Sequence, residues 1–71
     1  NARLGTSFHD FVNGYRVEDA KQLLLDPKRS HQTILAVALD SGFRSKSTFN
    51  KIFKRFTGTT PSQYRRDNPP A

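Results

Sequence analysis

Between Ser45 and Gly58 the large apolar residues are Phe49, Ile52, Phe53 and Phe56, spaced by three and four. That period belongs to an α-helix, and a strand cannot present it on one face. At about 100° per residue the four share one stripe about 100° wide, the width of a helix docked on a core. Ser47, Asn50, Lys51 and Lys54 fall opposite, also at spacings of three and four, and none is acidic. With 71 residues, the chain buries only about 60% of its unfolded surface. The stripe must therefore find its partner among a few other short segments of the same domain.

Punctuation supplies those segments. A first helix is expected from about Ser7 to Leu25, with Thr6 after Gly5 as its N-cap. Its apolar series is Phe8, Phe11, Val12, Tyr15, Val17, Ala20, Leu23 and Leu24. Gly14 inside it costs about 1 kcal/mol relative to alanine. Asp26-Pro27 ends it, because the residue before proline is pushed out of helical geometry. Lys28 to Gln32 reads as a polar link. Thr33 then caps a short helix from Ile34 to about Asp40, with Ile34, Val37 and Ala38 inward and Gly42 as its left-handed stop. Ser45 caps the helix from Lys46 to about Thr57, and Gly58 stops it. Thr60-Pro61-Ser62-Gln63 opens a last helix with an N-cap threonine and proline at the first helical position. Residues 67–71 are expected to be a frayed tail. No segment has strand period, so the fold class is all-α, a small helical domain.

Several function classes fall away on composition. There is no cysteine, so disulfides, thiolate nucleophiles and thiolate zinc sites are excluded. His9 and His31 lie far apart without local ligand spacing, and both read as ordinary surface or cap-neighbour residues, which leaves no metal or cofactor to expect. No apolar run has the length of a membrane span or a signal peptide. A catalytic pocket is more than this length can readily build, so an enzyme is not expected.

Charge is divided unevenly. Residues 1–40 balance Arg3, Arg16, Lys21, Lys28 and Arg29 against Asp10, Glu18, Asp19, Asp26 and Asp40. Residues 41–66 hold Arg44, Lys46, Lys51, Lys54, Arg55, Arg65 and Arg66 with no acid. The net charge is +6. A wholly basic half suggests a polyanion footprint, against the plainer reading of a solvated face. The short helix, the Asp40-Ser41-Gly42-Phe43 turn and the basic amphipathic helix together read as helix-turn-helix. In that motif Ala38 permits a close helix crossing and Phe43 plugs the corner. The second helix can enter a DNA major groove with its N-terminal side chains toward base edges. Helical spacing accounts for Phe49, Phe53 and Phe56 as core rather than base-stacking residues. Tyr15 and Tyr64 read as core-edge residues.

From Ala38 to Arg66 the string "ALDSGFRSKSTFNKIFKRFTGTTPSQYRR" resembles the AraC/XylS family of bacterial transcription regulators. The glycine-phenylalanine turn, the F-x-x-x-F-K core and the T-P-x-x-Y-R ending carry the likeness. Upstream, "GTSFHDFVNGYRVEDAKQLLLD" resembles the family's linker helix between two helix-turn-helix units. The resemblance implies that residues 1–5 are a remnant of the first unit, 6–26 the linker helix and 33–66 the second, homeodomain-like unit with its final short helix. It implies a piece of a longer, cytoplasmic regulator that binds double-stranded DNA, with RNA polymerase as a partner of the full-length protein. It places Lys46, Ser47, Asn50 and Lys51 at base-reading positions and Lys54 at a basic one. Thr33, Thr60 and Ser62, at helix starts, would face phosphate, where exposed N–H groups favour anions. Arg44, Arg55 and Arg65 complete the expected phosphate set. One departure is Ala36, where family members often carry glutamate; its loss removes a capping box worth about 0.5–1 kcal/mol.

Two other classes compete with DNA binding. An anionic membrane surface could attract a basic amphipathic helix, but the apolar stripe is needed for the core and tryptophan is absent. A helical interaction or oligomerisation module is the second. Without a first unit the linker helix would expose some of Phe8, Phe11, Val12 and Tyr15, which predicts self-association.

Overall fold

The computed structural model describes residues 8–69. Four α-helices carry the regular structure: α1 (Phe8–Leu25), α2 (Ile34–Asp40), α3 (Lys46–Thr57) and α4 (Pro61–Asp67). No strand occurs among the described residues, and the architecture is all-α. The expectations for residues 1–5, for the Thr6 cap and for the end of the tail lie outside the described residues. One element was not foreseen. Pro27–Arg29, inside the stretch read as a polar link, forms a turn of 3₁₀-helix, with the Asp26 carboxylate accepting from the Lys28 N–H at 2.9 Å.

The helix ends are where the punctuation puts them. Thr33, Ser45 and Thr60 are extended residues whose hydroxyls accept from the N–H groups of Ala36, Thr48 and Gln63. Each satisfies one of the donors a helix start leaves free. Ala36 thus keeps the backbone half of the capping arrangement even without an acidic side chain. At the end of α2, Gly42 N–H donates to Leu39 O and Phe43 N–H to Ala38 O, at 3.1 and 2.9 Å. These two bonds form a Schellman motif, which needs a left-handed residue, and Gly42 has φ +95°. Gly58, φ +84°, closes α3. The turn between α2 and α3 is therefore fixed by backbone bonds and then sealed by Phe43, which is buried.

The core lies where α1, α2 and α3 meet. Val17, Ala20 and Leu24 of α1, Ile34, Val37 and Ala38 of α2, and Phe43, Phe49 and Phe53 form one buried cluster. An aromatic series runs through it: Phe43 to Phe49 at 5.0 Å, Phe49 to Phe53 at 5.5 Å and Phe53 to Tyr64 at 5.4 Å between ring centroids. It joins the turn, α3 and α4 into one packed unit, and truncating a buried phenylalanine there would cost about 3–5 kcal/mol.

Three expectations about the core need correction. Phe56 is 41% exposed; it sits at the last turn of α3 against Gly14 of α1, which has no side chain to cover it. Tyr15 is 64% exposed and stacks edge-on against Phe11 rather than at the core edge. The apolar series of α1 is likewise two faces, not one. With Val17 at zero and about 100° per residue, Ala20 and Leu24 fall within about 60° of it. Phe8, Phe11 and Tyr15 fall between about 120° and 180° away, on the outer side.

Candidate nucleic-acid interface

Docking by Phe49 and Phe53, both fully buried, fixes the rotation of α3 about its axis. The opposite side must then face outward. Lys46, Ser47, Lys51 and Lys54 are exposed and Asn50 is half-buried on the flank of that face. The structure brings these five together on one helix. Thr48, also exposed, adds a hydroxyl at the first turn that accepts from the Ser45 hydroxyl at 3.0 Å. Its place beside the apolar stripe kept it out of the expected set.

The charge on this face is not compensated. Among the described residues the ion pairs join Lys21 to Glu18, Arg29 to Asp26 and Asp40, and Arg55 to Asp10. None involves Lys46, Lys51, Lys54 or Arg44. Lys and Asn side chains there present hydrogen-bond donors, and Asn and Ser can also accept, which is the chemistry of base edges and phosphates.

The expected phosphate residues divide into two groups. Arg44 is exposed in the turn before α3, and Thr33 and Ser62 are exposed at the starts of α2 and α4. Thr33 and Thr60 spend an acceptor on the cap and keep their own O–H donors. Arg55 instead turns toward α1, with Nη2 donating to the Asp10 carboxylate at 3.2 Å and the guanidinium 5.9 Å from the Phe56 ring. Arg65 reaches back and donates to the Gln32 carbonyl oxygen, tying α4 to the start of α2. These partners lie far away in sequence, so the charge run alone could not reveal them. His9 and His31 are exposed, and among the described residues no cluster of His, Cys, Asp or Glu could hold a metal. No helix among them is long and apolar enough to cross a membrane.

A family model described as a helix-turn-helix domain matches residues 1–67. An uncharacterised HTH-type transcriptional regulator of Staphylococcus aureus (strain COL) is 47% identical over 66 residues, covering 93% of this chain and 8% of that protein. The HTH-type transcriptional regulator MtrA of Neisseria gonorrhoeae is 39% identical over 66 residues, covering 93% of this chain and 21% of that protein. The chain thus spans a small part of the length of these relatives. No solved structure matches it significantly. A family model matched over nearly the whole chain and relatives well above 30% identity show the family: the chain belongs to the AraC-type helix-turn-helix family of DNA-binding transcription regulators.

Proposed function

We propose that this domain binds double-stranded DNA in a sequence-specific manner within a transcription regulator, with α3 seated in the major groove. The supporting observation is the uncompensated outer face of α3, held rigidly by the burial of Phe49 and Phe53 behind it. Lys46, Ser47, Asn50 and Lys51, on the first half of the helix, meet base edges. Lys54, Arg44 and the hydroxyls of Thr33, Thr60 and Ser62 hold the flanking backbone. Arg55 and Arg65 already hold the Asp10 carboxylate and the Gln32 carbonyl oxygen, so their share of phosphate contact is smaller.

Base contacts carry sequence preference and phosphate contacts do not. Lys51→Ala and Asn50→Ala should each cost about 1–3 kcal/mol at a selected site and less on random duplex. Lys54→Ala should weaken both duplexes alike. Competition titrations on the two duplexes check this, and equal losses on both for Lys51→Ala would refute its reading role.

A second reading is favoured by the outer face of α1. Phe8, Phe11 and Tyr15 are 75%, 58% and 64% exposed, a surface that suits helix-to-helix association between copies of this chain.

A further inference from the structure

A cleft lies beside the first turn of α3, walled by His9, Asn13 and Arg16 of α1 and by Gly42, Phe43, Arg44 and Thr48 across from them. It encloses about 250 Å³ and no acidic residue lines it. Arg16 comes from the charge-balanced half of the sequence, yet the fold sets it at the entrance to the basic face. Its stem lies across the turn: a Cβ at Gly42 would sit 3.2 Å from Arg16 Nε. Nη1 donates to Asn13 Oδ1 at 3.3 Å. A guanidinium has five N–H donors in a planar fork, and Arg16 makes no ion pair with any described residue. Asn13, having accepted that bond, keeps the two N–H donors of its amide. Thr48 accepts from Ser45 at 3.0 Å and keeps its own O–H to donate.

The lining therefore offers an excess of donors and positive charge to a small volume, which is the recognition chemistry of a phosphate oxyanion. We propose that this cleft seats one backbone phosphate of the duplex read by α3, gripped by Arg16 and Arg44 with the Thr48 hydroxyl. The assignment rests on the reading of α3 as the groove helix. Thr48 lies on the flank of α3, about 60° round the helix from Lys51, so a phosphate held here belongs to a strand bordering the groove.

The salt slope of binding counts phosphates neutralised, at about 0.9 in log K per log salt for each. Arg16→Gln keeps two of the three stem methylenes and removes the fork. On a random duplex its slope should fall by about 0.9, so that its affinity loss between 50 and 200 mM salt is about 3.5-fold smaller than that of the wild type. Arg44→Gln should do the same, and the double variant should also lose about 0.9 rather than about 1.8, because both arginines hold one phosphate. Arg16→Lys, which keeps charge and stem, should restore the slope. Circular dichroism melting accompanies each variant; a residue that only braces the turn would move the melt and not the slope.

An unchanged slope in Arg16→Gln, or additive losses in the double variant, overturns the shared seat. If Lys54→Ala lowers the slope while Arg16→Gln does not, the cleft assignment falls and the reading of α3 stands. Absence of duplex binding by the wild type overturns both. Inorganic phosphate, followed at the Arg16 Nε–H resonance, separates the two sources of the anion. Saturation by phosphate alone, with an unchanged duplex slope in Arg16→Gln, identifies a free-anion pocket and contradicts the DNA assignment.

Discussion

Gly42 and Gly14 have opposite reasons to be glycine. Gly42 sits at φ +95° in the Schellman turn, and any Cβ there would press on the Arg16 side chain at 3.2 Å. Gly42→Ala should therefore destabilise the domain by at least about 1–2 kcal/mol. At Gly14, inside α1, a Cβ would meet only Phe56 Cε2 at an ordinary 3.5 Å. Gly14→Ala should stabilise by up to about 1 kcal/mol. Urea denaturation of both variants checks the pair, and a common sign would contradict the turn geometry or the packing of Phe56. The first glycine was legible from its place after an apolar helix. The freedom at the second was not, because only the fold shows what stands opposite it. Arg55 teaches the same lesson: its charge is written in the sequence, but the carboxylate that engages it, that of Asp10, comes from another helix.

At the scale of the element, α3 was readable almost whole, since its stripe, its serine cap and its glycine stop agree with one another. α1 was readable only in its extent. Three- and four-residue spacing runs through its length, yet Gly14 to Val17 is where the apolar face changes sides. The inner face meets α2 and α3 through Val17, Ala20 and Leu24, while Phe8, Phe11 and Tyr15 stand outward. Contiguous exposed apolar surface marks interaction sites. The 71-residue polypeptide should show a concentration-dependent mass in sedimentation equilibrium, reduced by a Phe11→Ser, Tyr15→Ser double variant. A strictly monomeric mass at all concentrations would remove the association reading.

For the whole molecule, the division of charge becomes a division of surface. Four of the six acids pair locally or across helices: Glu18 with Lys21, Asp26 and Asp40 with Arg29, Asp10 with Arg55. What remains unpaired among the described residues includes Arg44, Lys46, Lys51 and Lys54, all around one end and one face of α3. The fold class and the helix boundaries could be read from periodicity and punctuation because both act locally along the chain. The outline of the binding surface could not be read to its edge, since contacts from α1 and α2 decide which arginines stay available.

The claim that the outer face of α3 is the DNA surface is tested most directly by titrating a fluorescent random duplex at two salt concentrations. The wild type and a Lys51→Glu, Lys54→Glu double variant are compared, both checked as folded. Salt-sensitive binding by the wild type that disappears in the variant is the predicted result. A variant that binds as tightly as the wild type, with the same salt dependence, would contradict the assignment and move the DNA surface elsewhere on the domain.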